Sequence, residues 1–293
     1  MRDDIRDKPY LDHRDVVGLH FIRSPGKYHY RRYYRAGLRS HIMEVLNWED
    51  VKDETQGEIR DGLRWYPQAA PLKMLRIFRT RFKGLAEAEE ELERVRIVHT
   101  FLAPDHVAVT REFLVDYLEH GRREILLCGL QDYVDGEALE PWGRLDEELL
   151  ISLANRMRSS KDESSLRPGD RWLQRVRQKI EAFTGKIRRM IGEAHHVPDL
   201  AGAGNLLLTR SGDIKLVDVN NISPVFLDSV IRVDDKGYPV CDKSIEALSL
   251  LEHKILGRSL EKEDHIYRTF LHPDRMKAVK KLEDTFHRSL YPS

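Results

Sequence analysis

Apolar residues recur at intervals of three and four in Leu85, Ala88, Leu92, Val95, Val98 and Leu102, which predicts a helix over residues 85–102 with one apolar stripe. On a wheel of about 100° per residue, Glu91 is the one acid of the adjoining glutamate cluster that falls well inside that stripe. Glu87 lies at its edge, and Glu89, Glu90 and Glu93 point elsewhere. A carboxylate on a buried face needs a cation or hydrogen bonds. Otherwise Glu91 is a partly exposed residue at the margin of the stripe. Just upstream, residues 72–78 have the apolar density of a strand, and alternation puts Met74, Arg76 and Phe78 on one face with Leu75 and Ile77 on the other. Arg76 is thus a cation flanked by apolar side chains. It is either the natural partner of Glu91 or an exposed cation of an edge strand.

A second strand is expected over residues 124–130, continuing into Gln131, Asp132, Tyr133, Val134 and on to Glu137. The Asp135-Gly136 pair is read as the end of that strand. An extended segment of this kind beside a sheet is one way to grip a flat heterocycle.

The most informative stretch is 199–221, where two apolar runs flank the polar turn Arg210-Ser211-Gly212-Asp213. This is the pattern of a short β-hairpin with glycine at a positive-φ position. Pairing Arg210 with Asp213 puts Thr209 opposite Ile214 and Asn205 opposite Asp218, whose β-carbons would then lie about 5 Å apart. An amide and a carboxylate side by side suit Mg²⁺, which takes a few protein oxygens and completes its shell with water and phosphate. Asp199 stands in the loop just before, within reach of the same spot, and Gly202 and Gly204 let the backbone turn sharply. The competing reading makes Asp199, Asn205 and Asp218 ordinary turn and cap residues.

Strand-like runs dominate the first part of the chain and helical ones the second. The polar stretch 159–165, followed by Arg167-Pro168-Gly169-Asp170, reads as an exposed excursion between helices. The 293 residues, 41% hydrophobic and 33% charged, exclude disorder and collagen-like structure. Forty-nine basic residues balance forty-nine acidic ones, so no global field draws the chain to nucleic acid or a membrane. No apolar run approaches the roughly 20 residues of a membrane span, and the polar start lacks a secretory apolar core, which points to a cytoplasmic chain without a transmembrane segment. Cys128 and Cys241 are expected as ordinary buried thiols. The adjacent His195 and His196 fit the end of a helix better than a metal site.

Residues 23–41 carry Arg23, Lys27, Arg31, Arg32, Arg35 and Arg39 interleaved with Tyr28, Tyr30, Tyr33 and Tyr34. Such a run either binds anions, by holding phosphates or lipid headgroups, or forms a helix with a tyrosine-lined inner side and a solvated cationic face.

The hairpin resembles the catalytic-loop-to-metal segment of the protein-kinase-like superfamily, in which an Asp base, an Asn metal ligand and a metal-binding Asp follow one another around a hairpin. By that resemblance Asp199 is the base, Asn205 and Asp218 hold Mg²⁺, and Arg76 with Glu91 takes the place of the strand lysine and helix glutamate. Gln131, Asp132, Val134 and Glu137 form the nucleotide-binding hinge, and residues 242–252 the helix that supports the catalytic loop. The resemblance implies an α+β, bilobal, kinase-like fold: a small mixed lobe over residues 1–133 with a basic aromatic extension, and a mainly helical lobe over 134–293. It implies ATP and Mg²⁺ as cofactors and phosphotransfer to an acceptor hydroxyl on a sugar, lipopolysaccharide or protein; the basic aromatic run is loosely similar to that of lipopolysaccharide-core sugar kinases. Arg76 in place of lysine, the absence of a G-x-G-x-x-G loop upstream and the changed spacing from Asp199 to Asn205 favour a second reading, a pseudokinase scaffold. A third is an anion or nucleic-acid binder acting through Arg23 to Arg39.

Overall fold

A computed structural model of the chain describes residues 4–24, 26–34, 37, 39–119, 121–157, 169–259 and 264–290. The polar excursion expected at 159–165 and Arg35 of the basic run lie outside the described residues. The class is α+β, as the pattern predicts, and the chain divides into two units, one of residues 1–93 and 109–133 and one of residues 94–108 and 134–293.

The first unit contains α1 (His13–Val17), β1 (Tyr28–Arg32), β2 (Ser40–Asn47), α2 (Trp48–Gln56), the hairpin β3 (Glu58–Arg60) and β4 (Leu63–Trp65), β5 (Lys73–Phe78), the first half of α3 (Leu85–Leu102), β6 (Thr110–Glu119) and β7 (Arg122–Asp132). Five strands form one antiparallel sheet in the order β1-β2-β5-β7-β6. One face of this sheet carries Tyr30, Met43, Val45, Leu75, Ile77, Leu126, Cys128 and Tyr117, and the N-terminal segment covers it with Ile5, Leu11, Val16 and Leu19. The segment's backbone is bonded to the sheet. Ile5 N–H donates to the Tyr117 hydroxyl (3.1 Å), His41 Nε2–H donates to the Ile5 carbonyl (2.9 Å), and Arg79 donates to the carbonyls of Arg6 and Pro9. Arg6, almost fully buried, forks onto Asp4 and reaches Glu124. The basic run of residues 23–41 is therefore not a helix: Tyr28–Arg32 is an edge strand, whose twofold period sends Tyr30 inward and Arg31 to the opposite face, where it pairs with Glu44 and Glu54.

The second unit holds β8 (Gly136–Ala138), α4 (Glu147–Arg156), α5 (Asp170–Ala194), β9 (His196–Pro198), β10 (Leu206–Thr209), β11 (Ile214–Leu216), β12 (Ile222–Pro224), α6 (Val240–Leu256), α7 (His265–Phe270) and α8 (Pro273–Leu290). Its core is built around α5, which buries Leu173, Val176, Ile180, Phe183, Thr184, Ile187, Met190 and Ile191 at helical spacing, and around α6. Across these helices Arg188 places Nε and Nη2 on the two oxygens of Glu252, each at 2.7 Å, and Nη1 on Asp264, the N-cap of α7. The Tyr267 hydroxyl donates to the same Glu252 at 2.8 Å. His195 ends α5 in a left-handed conformation, so the His195-His196 pair is a helix end, as expected. Gly136 does not end a strand. It begins β8, paired antiparallel with β10, and a Cβ there would stand 2.8 Å from the Leu208 carbonyl oxygen. Cys128 and Cys241 are free and buried, and burial pushes both thiols up to about 12.

Among the described residues no helix is long and apolar enough to cross a membrane.

Two outcomes test this account. Arg188→Ala strands the buried Glu252 and should lower unfolding stability by about 3–5 kcal/mol in a denaturant titration. In the first unit, burial and then the Arg79 charge push His41 down to about 4 from its ordinary value near 6.5. The folded state therefore resists a proton that the unfolded chain accepts below about pH 6.5. The stability that the neutral ring contributes is present above that pH and drains away toward pH 4. Denaturation midpoints of wild type and His41→Asn should converge over that interval, and a gap independent of pH contradicts the assignment.

Candidate functional site

The hairpin β10–β11 forms where the pattern places it, with a register one residue away from the expected one. Leu208 lies opposite Ile214 and Leu206 opposite Leu216, so Asn205 faces Val217 and not Asp218. The turn is the cause. Thr209 N–H donates to the Asp213 carbonyl and Gly212 N–H to the Thr209 carbonyl, both at 2.9 Å, with Gly212 at φ +81. This is a three-residue loop, a turn followed by a left-handed glycine, where the two-residue loop assumed from sequence would have paired Arg210 with Asp213. One extra loop residue shifts every facing pair by one. β11 ends at Leu216, and Asp218, two residues beyond, lies near enough to Asp199 for its charge to be felt there. Val217 N–H donates to the Asn205 carbonyl (2.9 Å), and Asp218 Oδ1 accepts from Asn220 N–H.

Asp199 is the centre of the arrangement. Its carboxylate is buried, with Oδ1 accepting from the N–H groups of Ala201 and Gly202, each at 2.9 Å, and Oδ2 from Asn221 Nδ2 at 3.0 Å. Its carbonyl oxygen accepts from Asn205 Nδ2 at 2.9 Å. Burial, and next the negative charge of Asp218, raise the Asp199 carboxyl above the ordinary carboxylate range, while the bonds from Asn221, Gly202 and Ala201 work against that rise. Three of a carboxylate's roughly four lone-pair positions are thus engaged, leaving about one to accept a further proton or cation. Leu200 N–H donates to Ser244 Oγ on α6 (3.1 Å), and Gly204 N–H donates to Glu140. These bonds fix the loop at both ends.

The Asn205 amide is buried, and its nitrogen is committed to the Asp199 carbonyl. No donor of the described residues reaches its Oδ1, so that oxygen is the part of the amide left to a ligand. Two neighbouring carboxylates and a spare amide oxygen form a donor set of hard oxygens, which fits Mg²⁺ better than a softer metal. Among the described residues there is no cluster of three or more His, Cys, Asp or Glu side chains arranged for a metal.

The other sequence-selected residues divide between the units. In the first, Arg76 is buried on β5 and Glu91 half-buried on α3, the least exposed of its glutamate cluster. Ile42, Arg76, Gly129 and Glu112 form one cross-strand row, and Met74, Gln131 and Thr110 occupy the next row on the same face, with Thr110 Oγ1 donating to Glu112. Gln131 is buried, and Asp132 is ion-paired with Lys73. In the second unit, Val134 is half-buried, and Glu137 lies in β8 opposite Leu208, with its carboxylate 3.1 Å from Arg156. The sequence did not single out Asn221, Ser244 or Glu140, since nothing local marks which polar side chain a folded loop will reach.

No family model matches the chain, and no curated protein matches it. Among solved structures it is similar to the ROP18 kinase domain in complex with AMP-PNP and sucrose, at 12% identity and a TM-score of 0.35, with 91% of this chain and 74% of that chain covered. A likeness that distant leaves the chemistry to be argued from this chain's own residues.

Gly202 tests the loop. A Cβ there would stand 2.3 Å from Asn205 Nδ2, whereas one at Gly185 in α5 meets nothing within 4 Å. Gly202→Ala should destabilise by about 1–3 kcal/mol through this clash. Gly185→Ala should stabilise by about 0.5–1 kcal/mol through helix propensity. Opposite signs in paired denaturation curves are the expected result.

Proposed function

We propose that this chain is an ATP-dependent phosphotransferase whose second unit carries the metal and base positions: Asn205 and Asp218 hold Mg²⁺, and Asp199 takes the proton of an acceptor hydroxyl. The observation that carries this reading is the Asn205 amide, whose nitrogen is committed to the backbone carbonyl of Asp199, in a loop where the Asp199 carboxylate lies near enough to Asp218 to feel its charge. Its physical sense is electrostatic. Like charges at close quarters are costly unless a cation is shared between them, and a phosphorylated nucleotide brings a divalent cation with it. Mg²⁺ at that position would neutralise charge developing on the transferred phosphoryl group.

The chain's own residues supply the remainder. Asp199 is raised above the ordinary carboxylate range, which brings it closer to the pKa of an effective general base, and its three hydrogen bonds orient the last lone pair. Asn221 holds the carboxylate from the side opposite the two backbone donors, and Gly202 leaves the room that the Asn205 amide occupies. A pseudokinase reading is favoured by the missing G-x-G-x-x-G loop, by the longer spacing from Asp199 to Asn205 and by the arginine at position 76, whose planar, permanently charged fork is not interchangeable with a lysine ammonium.

The two readings part in one experiment. Thermal unfolding of the full chain with ATP, with and without Mg²⁺, is run beside a nucleotide-turnover assay. A ligand bound only by the folded state raises the midpoint by mass action. Phosphotransfer requires stabilisation and turnover together. Asp218→Ala should abolish the Mg²⁺-dependent part of both, while Asp199→Asn should keep the stabilisation and lower turnover by about 10²–10⁴. Stabilisation without turnover in the wild type selects the scaffold. Turnover unchanged in Asp218→Ala sinks the metal assignment.

A further inference from the structure

The basic aromatic run is only partly used by ion pairing. Arg31 is paired with Glu44 and Glu54, but Arg32 and Arg79 have no carboxylate within ion-pair distance among the described residues. Both line one shallow depression, open to solvent, together with Tyr10, Tyr33, Ser40 and His41. Among the described residues no acidic side chain lines it. Arg32 stands over the Tyr10 ring, 5.4 Å from its centroid, and Arg79 spends its donors on the carbonyls of Arg6 and Pro9 and, at 3.4 Å, on His41 Nδ1. His41 Nε2–H is given to the Ile5 carbonyl, so its Nδ1 is the lone-pair side and the ring adds no positive charge. Two guanidinium charges thus share a polar hollow whose described lining has no carboxylate, with Asp7 the acid whose charge is felt at Arg79.

The register separates this hollow from the Arg76 face. Arg32 lies opposite Met43, His41 opposite Ile77, and Arg79 follows Ile77 by two residues. All belong to the face that the N-terminal segment covers, while Arg76 lies in the row of Ile42 and Gly129 on the other. The rim is shaped by Gly37, where a Cβ would come within 2.6 Å of the Ser40 carbonyl and 3.1 Å of its hydroxyl oxygen.

We propose that this depression of the first unit is a binding site for a phosphate group, in which Arg32 and Arg79 supply the charge and Tyr10 and Ser40 line the wall. A doubly charged tetrahedral anion answers both guanidinium groups at once, where a carboxylate would leave one uncompensated, and guanidinium forks suit phosphate oxygens. The site is independent of the phosphotransfer reading and stands or falls without it.

The test is calorimetric titration of the full chain with inorganic phosphate at constant ionic strength, with chloride as the reference salt. Binding should be saturable, about tenfold or more weaker in Arg32→Gln, as expected for loss of a charge-assisted contact, and unchanged in Lys27→Gln. It should persist in Asp218→Ala, which separates this site from the second unit's acid cluster. Because Arg79 also fastens the N-terminal segment through the carbonyls of Arg6 and Pro9, the decisive substitution is placed on Arg32. Heat no larger than that of chloride, or equal binding by Arg32→Gln and wild type, overturns the proposal. So does loss of binding in Asp218→Ala.

Discussion

The loop between β9 and β10 is organised by one carboxylate. Asp199 collects two backbone N–H groups and one amide on its oxygens, and its carbonyl fixes the amide of Asn205 six residues on. A buried loop carries polar backbone groups that must be satisfied within the protein, and here a single side chain satisfies two of them. The same bonds decide chemistry. By consuming the nitrogen of Asn205 they leave its oxygen, and by occupying three sides of Asp199 they leave one. Structure and candidate reactivity in this loop are consequences of the same hydrogen bonds.

Periodic features of the chain were legible beforehand. Of the 85–102 stripe, Ala88, Val95, Val98 and Leu102 are buried as the wheel predicts, Leu92 is half-buried and Leu85, at the helix start, is exposed; the 72–78 strand pairs on both sides, and the 242–252 segment is the middle of a helix that ends at a left-handed Gly257. What failed was register and the fate of polar residues. Arg210-Ser211-Gly212-Asp213 accommodates a two-residue or a three-residue loop equally well in sequence, and only the folded turn, with Gly212 left-handed, chooses between them. Asp218 no longer faces Asn205, but it lies beyond the strand end and near enough to Asp199 for its charge to be felt there.

The first unit shows a second limit. Ile5, Leu11, Val16 and Leu19 are too widely spaced to read as an element, yet they close one face of the five-stranded sheet. Their contribution depends on tertiary partners from distant positions: Tyr117, His41 and Arg79 satisfy the segment's backbone, and Arg6 links Asp4 to Glu124. The edge strand Tyr28–Arg32 was obscured for a related reason. Its alternation is carried by tyrosines and arginines, whose long side chains serve a core and a surface alike.

Whether the acid cluster is structural or chemical turns on what an amide could do in its place. An asparagine at position 199 could accept both backbone N–H groups on one oxygen, and Asn221 could rotate its own amide to accept from the new NH₂ group. The loop would lose no hydrogen bond. It would lose the like-charge repulsion with Asp218 and the burial cost of a carboxylate, the two influences that raise Asp199. The acid gives the loop stronger, charge-assisted bonds to the N–H groups of Ala201 and Gly202, and against that stand a burial and a neighbour that both disfavour its charged form, an arrangement also found where protons or cations are handled. The balance between these bonds and that repulsion is what the proposed role of Asp199 would draw on.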